Sequence, residues 1–226
     1  MANIILDFDG TIHDCAKIYV PAFRVGHKYL VDNNYLTFKE YSDQEVISYL
    51  GYSPKAMWEK FAPELDSEVQ DNVTGIVYEE MKTLTKNGKS VLYDGSEQAL
   101  HTLKDNGHKL FFLSNCAHNY MELHRESHKL DRFYTDFFCS EDFGYIPKPE
   151  IYKSIKQQYE GEYIIVGDRI FDLETALVHN LKSVGCTYGY CEPNELDKAT
   201  VLISDISQLP QAIESIKIGA KRDKLA

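Results

Sequence analysis

Short apolar runs that end in polar dipeptides recur along this chain, with amphipathic stretches between them. Ile4-Ile5-Leu6 is β-branched and apolar and predicts a buried strand near the N-terminus. Similar runs at 109–113, 163–166, 184–186 and 201–203 predict four further strands. Helical spacing of apolar positions appears between them, at about 96–106, 118–130, 149–160, 171–180 and 207–216. Apolar strands separated by helices imply βαβ units. The expected fold is α/β, a Rossmann-like parallel sheet core with helices on both faces. In such sheets ligands bind beyond the carboxyl ends of the strands, where the polar dipeptides stand.

The stretch from 15 to 90 follows a different pattern. It holds helical spacing at 17–33, 37–50, 54–61 and 67–86 and no convincing strand. Ser53-Pro54 is a helix start, with Ser as N-cap and Pro at the first helical position. Asn87-Gly88 is a stop. The chain therefore divides into a Rossmann-like core, 1–14 with 91–226, and an inserted α-helical domain, 15–90. The last residues, 217–226, are polar and basic and read as a solvated, partly disordered tail.

Composition changes this picture little. Of 226 residues 43% are hydrophobic and 26% charged, which is ordinary for a globular protein. The net charge of −11 argues against nucleic acid or an anionic membrane as partner. No run reaches the length of a transmembrane helix, and the N-terminus lacks a basic, cleavable leader. Five cysteines without framework spacing (Cys15, Cys116, Cys139, Cys186, Cys191) fit reduced thiols in a cytoplasmic protein.

The first strand runs into Asp7-Phe8-Asp9-Gly10-Thr11. Strand alternation leans Asp7 and Asp9 the same way and sends Phe8 into the core. Two converging like charges call for a cation, and Gly10 permits a sharp turn whose amides face an anion. Alone, this is also what a solvated Asp-Gly turn looks like. Three more polar pieces follow at sheet ends or nearby loops: Ser114-Asn115, Lys148-Pro149, and Gly167-Asp168 with Asp172 four residues on.

Other chemistries fail on spacing. Positions 7–18 lack the central Gly and final Glu of an EF-hand. No cysteine precedes an arginine by six positions, and Gly88-Lys89-Ser90 lacks the upstream Gly of a P-loop. Cys116 reads as a small core residue. His124 and His128 lie one helical turn apart, but Arg125 replaces the Glu of a zincin, and with Glu122 and Glu126 nearby they read as a solvated helix face.

In order, spacing and strand-end placement the four pieces resemble the haloacid dehalogenase-like hydrolase superfamily over nearly the whole chain. Residues 166–176 and 184–190 are most similar to its phosphoglycolate phosphatase-like branch. The resemblance implies an Mg²⁺-dependent phosphatase that hydrolyses a small phosphate monoester through an aspartyl-phosphate on Asp7. It implies Asp9 as general acid and base, and Lys148 as the charge that stabilises the phosphoryl oxygens. Thr11, Ser114, Asn115 and Lys148 would hold phosphate; Asp7, Asp9 through its backbone carbonyl, Asp168 and Asp172 would hold the metal. The 15–90 insertion would be a cap that closes on the site and sets specificity, with Tyr52 or Lys55 as candidates to reach substrate. Arg169 stands where this branch more often has a small residue; it reads as a surface or supporting ion pair, or as a contact for an acidic group of the substrate. The partner implied is a small phosphorylated metabolite, and the protein a monomer or homodimer. Asp9 argues against dehalogenase and phosphonatase chemistry. A sugar phosphomutase shares the acid pair and the cap, and a phosphometabolite-binding protein without turnover would lack Asp7, Asp9 or Lys148.

Overall fold

A computed structural model describes the backbone of residues 1–223 and the side chains of residues 1–216. The elements follow in the order β1 (Asn3–Leu6), α1 (Ala16–Asp32), α2 (Asp43–Ile47), α3 (Pro54–Phe61), α4 (Ser67–Lys86), α5 (Ser96–Asp105), β2 (Lys109–Ser114), α6 (His118–Ser127), β3 (Asp136–Cys139), α7 (Lys148–Gln158), β4 (Tyr163–Gly167), α8 (Ile170–His179), β5 (Lys182–Cys186), β6 (Val201–Ile203) and α9 (Leu209–Asp223). The strands form one parallel sheet in the order β3-β2-β1-β4-β5-β6.

The central strands are apolar along most of their length because alternate residues feed two different cores. Ile4 and Leu6 of β1, Leu110 and Phe112 of β2, and Ile164 and Val166 of β4 pack on one face, with Leu100 and Leu103 of α5 and Ile213 of α9. Ile5, Phe111, Leu113 and Ile165 pack on the other, with Ile151 and Ile155 of α7 and Leu173 of α8. Each such fully buried side chain stabilises the fold by about 1.5–3 kcal/mol. Both sheet faces are covered, as a parallel sheet requires.

β1 lies at the switch point of the sheet, since β2 and β3 are laid down on one side of it and the chain then crosses to β4, β5 and β6 on the other. Leu6 is in register with Phe112 and Val166. That register carries Asp7 level with Leu113 and Gly167, one residue before Ser114 and Asp168 at the polar ends of the neighbouring strands. The chain leaves the core after His13 and returns at Val91, and the two connections pair side by side, Asp14 N–H donating to Val91 O (3.0 Å) and Tyr93 N–H to Ile12 O (2.9 Å). Between them, α1, α3 and α4 pack around Leu30, Trp58, Ala62 and Val73.

Several expectations need correction. The helix expected over 37–50 is only Asp43–Ile47, because Ser42 and Glu45 form a capping box that starts it late. β3 was not anticipated: Asp136-Phe137-Phe138-Cys139 is four residues long and carries a charge at its start. The expected polar tail is helical through Asp223 as the continuation of α9; residues 224–226 of that tail lie outside the described residues. His124 and His128 are not a solvated face. His124 is fully buried and His128 half-buried. Positions 120 and 124 of α6 and His128, which caps its C-terminus, form one stripe that turns inward with Met121, while Glu122, Arg125 and Glu126 occupy the opposite side. Among the described residues no helix is long and apolar enough to cross a membrane.

Candidate active site

The sharp turn after β1 brings the site together. Gly10 has a φ of +83°, and a Cβ there would sit 2.1 Å from Asp168 Oδ2, so only glycine lets the two loops approach. Asp168 follows β4 and is fully buried. It accepts from the Tyr190 amide (2.7 Å) and from the Thr11 hydroxyl (3.3 Å). Asp172 sits in the first turn of α8 and accepts at Oδ2 from the Arg169 amide (3.1 Å). Lys148 is the first residue of α7, with Pro149 second in its first turn, where a missing N–H costs nothing.

Asp7, Asp168 and Asp172 converge, each buried and each offering a carboxylate oxygen within 4.8 Å of the others. Lys148 Nζ lies between two of them, 2.7 Å from Asp7 Oδ1 and 2.6 Å from Asp172 Oδ1. Burial, then the Asp172 charge, pushes Asp7 up to about 7 against the opposing pull of Lys148. Burial, then the Asp7 and Asp172 charges, raises Asp168 well above the usual carboxylate range. Burial pushes the Lys148 ammonium down, but the Asp172 and Asp7 carboxylates outweigh it and raise its pKa. Three carboxylates converge, only two of them paired with the lysine, and every one offers a hard oxygen. That set fits a divalent cation such as Mg²⁺, which binds oxygen ligands and supplies the missing positive charge.

Asp9 occupies a different setting. Its Oδ1 lies 2.7 Å from His13 Nδ1 and accepts from the Tyr120 hydroxyl at 2.8 Å. Its carboxylate stands outside the three-carboxylate group, so only its backbone carbonyl is left for the metal role that the family resemblance implied. His13 is fully buried, stacked on Phe8, and its Nε2 lies 2.9 Å from Ser90 Oγ. Ser90 Oγ in turn meets His128 Nε2 at 2.8 Å and His124 Nδ1 at 3.4 Å. His13, Tyr120 and Ser90 were missed in the sequence. The one available signal was the inward stripe that Tyr120 shares with His124.

The remaining expected residues divide. Ser114 and Asn115 line the cavity over Asp7 and Asp9, together with Lys148 and Asp172. Asn115 also reaches the helical insertion, donating to Gly51 O at 3.0 Å. Thr11 is fully buried and is not part of the cavity wall; its hydroxyl is spent on Asp168. Arg169 makes the ion pair that was one of its readings, but the pair is buried rather than on the surface: Nε lies 3.1 Å from Glu195 Oε1. Its Nη1 donates to Leu50 O, which ties α8 to the helical insertion. Tyr52 lines the cavity with its ring 5.0 Å from Phe171, whereas the Lys55 side chain is 87% exposed at the rim. Burial, then the Asp9 charge, raises the Cys116 thiol well above its ordinary range, so it is no thiolate nucleophile.

The family model for haloacid dehalogenase-like hydrolases matches residues 4–186. No functionally curated protein matches the sequence. Among solved structures the chain is similar to a predicted phosphatase from Clostridium acetobutylicum, at 21% identity and a TM-score of 0.75 over 95% of this chain and 99% of that one. It is similar to a predicted phosphoglycolate phosphatase from Haemophilus somnus 129PT, at 16% identity and a TM-score of 0.77 over 94% and 98%. It is also similar to CbbY from Rhodobacter sphaeroides, solved in complex with phosphate, at 16% identity and a TM-score of 0.73 over 92% and 96%. At these identities the structural likeness speaks to the fold.

Proposed function

The chain belongs to the haloacid dehalogenase-like hydrolase family, and from that premise we propose that it is an Mg²⁺-dependent phosphatase of small phosphate monoesters. The observation that carries this is the division of the paired aspartates. Asp7 sits among carboxylates with Lys148 at 2.7 Å, while Asp9 is held apart by His13 and Tyr120. Two carboxyls in two such settings suit two roles in one reaction.

Asp7 attacks phosphorus and forms an aspartyl-phosphate as the ester bond breaks, and Asp9 gives its proton to the departing oxygen. Asp9 then takes a proton from a water that attacks the acyl-phosphate, releasing inorganic phosphate and restoring Asp7. Lys148 and the hydroxyl of Ser114 receive the charge that builds on the phosphoryl oxygens. Asp7, Asp168, Asp172 and the Asp9 carbonyl would hold Mg²⁺, which when bound offsets the repulsion between the nucleophile and the phosphoryl group. Helices α1 to α4, within 15–90, act as the cap, and the paired connections at Asp14–Val91 and Ile12–Tyr93 are its hinge. The free state of all five cysteines supports a reducing, cytoplasmic setting.

Phosphate release from a panel of esters, with and without Mg²⁺, tests the reading together with Asp7→Asn. The expected result is metal-dependent release that Asp7→Asn lowers by at least about 10³-fold. Release from no ester, or full activity in Asp7→Asn, would overturn it. Accumulation of an isomerised sugar phosphate in place of free phosphate would assign a phosphomutase.

A further inference from the structure

The cavity above Asp7 continues into the helical insertion and is about 780 Å³ in volume. That is the size of sites that enclose drug-sized ligands, larger than a two-carbon phosphate ester needs. Its inner wall is apolar: Phe23 and Leu30 from α1, Trp58 and Phe61 from α3, and Val73 and Val77 from α4. The charged groups are placed elsewhere. Asp7, Asp9, Lys148, Arg169 and Asp172 stand at the core end, and Lys55, Asp71 and Glu141 are exposed. His27 also lines the cavity, with its Nε2 free of any hydrogen-bond partner among the described residues, and burial lowers its pKa.

Two polar side chains in the same wall, Thr74 and Gln70, are already committed. Thr74 Oγ1 accepts from Trp58 Nε1 at 2.8 Å and donates to Gln70 O at 2.8 Å, and Gln70 Nε2 donates to Leu65 O at 2.9 Å. A polyhydroxylated leaving group would lose its water there and find few free partners, His27 Nε2 among them, so most of its hydroxyls would be left unsatisfied. An apolar one would gain from burial.

We propose, building on the phosphatase reading, that the substrate is a phosphate monoester whose leaving group is a sizeable apolar or aromatic moiety seated between α1, α3 and α4. Sugar phosphates and phosphoglycolate-sized esters are poor substrates.

The test uses a series of primary n-alkyl phosphates, ethyl, butyl and hexyl, with glycerol phosphate as the polar comparison. Their leaving groups differ little in acidity, so kcat/KM reports burial. The expected rise is about fourfold per methylene, the equivalent of about 0.8 kcal/mol each. Val77→Phe narrows the chamber and is expected to lower the hexyl-to-ethyl ratio of kcat/KM by about tenfold, roughly two methylenes. A second readout needs no turnover: Trp58 is the chain's single tryptophan, and hexylphosphonate is expected to change its fluorescence saturably while ethylphosphonate leaves it unchanged. A flat or falling series, with glycerol phosphate turned over as well as hexyl phosphate, would overturn the proposal, as would a Trp58 signal that hexylphosphonate does not move. If no ester is hydrolysed with Mg²⁺ while Trp58 still responds to hexylphosphonate, the apolar chamber stands and the phosphatase reading falls.

Discussion

His13 Nδ1 lies 2.7 Å from Asp9 Oδ1, and the Tyr120 hydroxyl donates to the same oxygen at 2.8 Å. With Asp9 ionised, the ring carries its hydrogen on Nδ1 and accepts the Ser90 hydroxyl at Nε2, 2.9 Å away. Two donors on one carboxylate oxygen leave the other, Oδ2, as the oxygen that carries and transfers the proton.

A group that orients a general acid matters most when the leaving group is a poor one. His13→Gln and Tyr120→Phe are therefore expected to lower kcat for alkyl phosphates by roughly 10- to 100-fold, part of the 10²–10⁴ that general acid catalysis supplies. With p-nitrophenyl phosphate, whose leaving group departs without a proton, the loss should be within about threefold, because little of that general-acid contribution is then at stake. Equal losses on both substrates would assign these residues a merely structural part.

Lys148 pairs with two carboxylates in a site where all three side chains are nearly inaccessible. Lys148→Met leaves Asp7 and Asp172 uncompensated, and breaking a buried pair from one side costs about 3–5 kcal/mol. Thermal unfolding at neutral pH should show that loss, and added Mg²⁺ should recover part of it. Turnover at saturating Mg²⁺ should still be down by about 10²–10³-fold, the scale of removing one transition-state charge partner.

Asp7 has a folded-state pKa of about 7 against an ordinary 3.8. A raised carboxyl pKa means that the folded state holds its proton more tightly than the unfolded chain. Its contribution to stability is full below about pH 4 and is lost as pH rises towards about 7. Asp168 shifts the same way. Mg²⁺ competes with those protons, so its stabilising effect should grow over the same window. At about 100 times its dissociation constant it adds about 2.7 kcal/mol, or about 5–10 °C in Tm. Melting curves at pH 5 and 7.5, with Mg²⁺ and with EDTA, check this; a shift as large at pH 5 as at pH 7.5 would contradict it.

The imidazoles of α6 work in the opposite sense. Burial, then the neighbouring His13, lowers His128 from 6.5 to about 4, and burial lowers His124 well below 6.5. A depressed folded-state pKa gives stability that is present above about pH 6.5 and lost as pH falls towards about 4. His124→Phe and His128→Phe should flatten the acid limb of a stability–pH profile between those values. An unchanged slope in both variants would show that the pair does not titrate on unfolding.

The amino-acid order alone determined the strand ends, the helical insertion and the residues that resemble the family's site. Ile4-Ile5-Leu6 before Asp7 and 163–166 before Gly167-Asp168 are local signals, because a strand buried on both faces must be apolar along its length and then stop at something polar. Asp7, Ser114 and Asp168 were legible for the same reason, and Lys148 and Asp172 only through their order along the chain in the family resemblance. β3 escaped because a four-residue edge segment that begins with Asp136 takes its stability from pairing with β2, a partner far away in sequence. That the Thr11 hydroxyl meets Asp168, which also accepts from the Tyr190 amide, was not legible, because these residues meet only in space. His13, Ser90 and His128 lie 77 and 38 residues apart along the chain, and their contacts exist only once α6 folds over the turn after β1. Which chemistry-bearing residues the chain carries was therefore a local matter. Which of them share a proton, a cation or an apolar chamber was decided by tertiary packing, because hydrogen bonds and burial depend on distance in space.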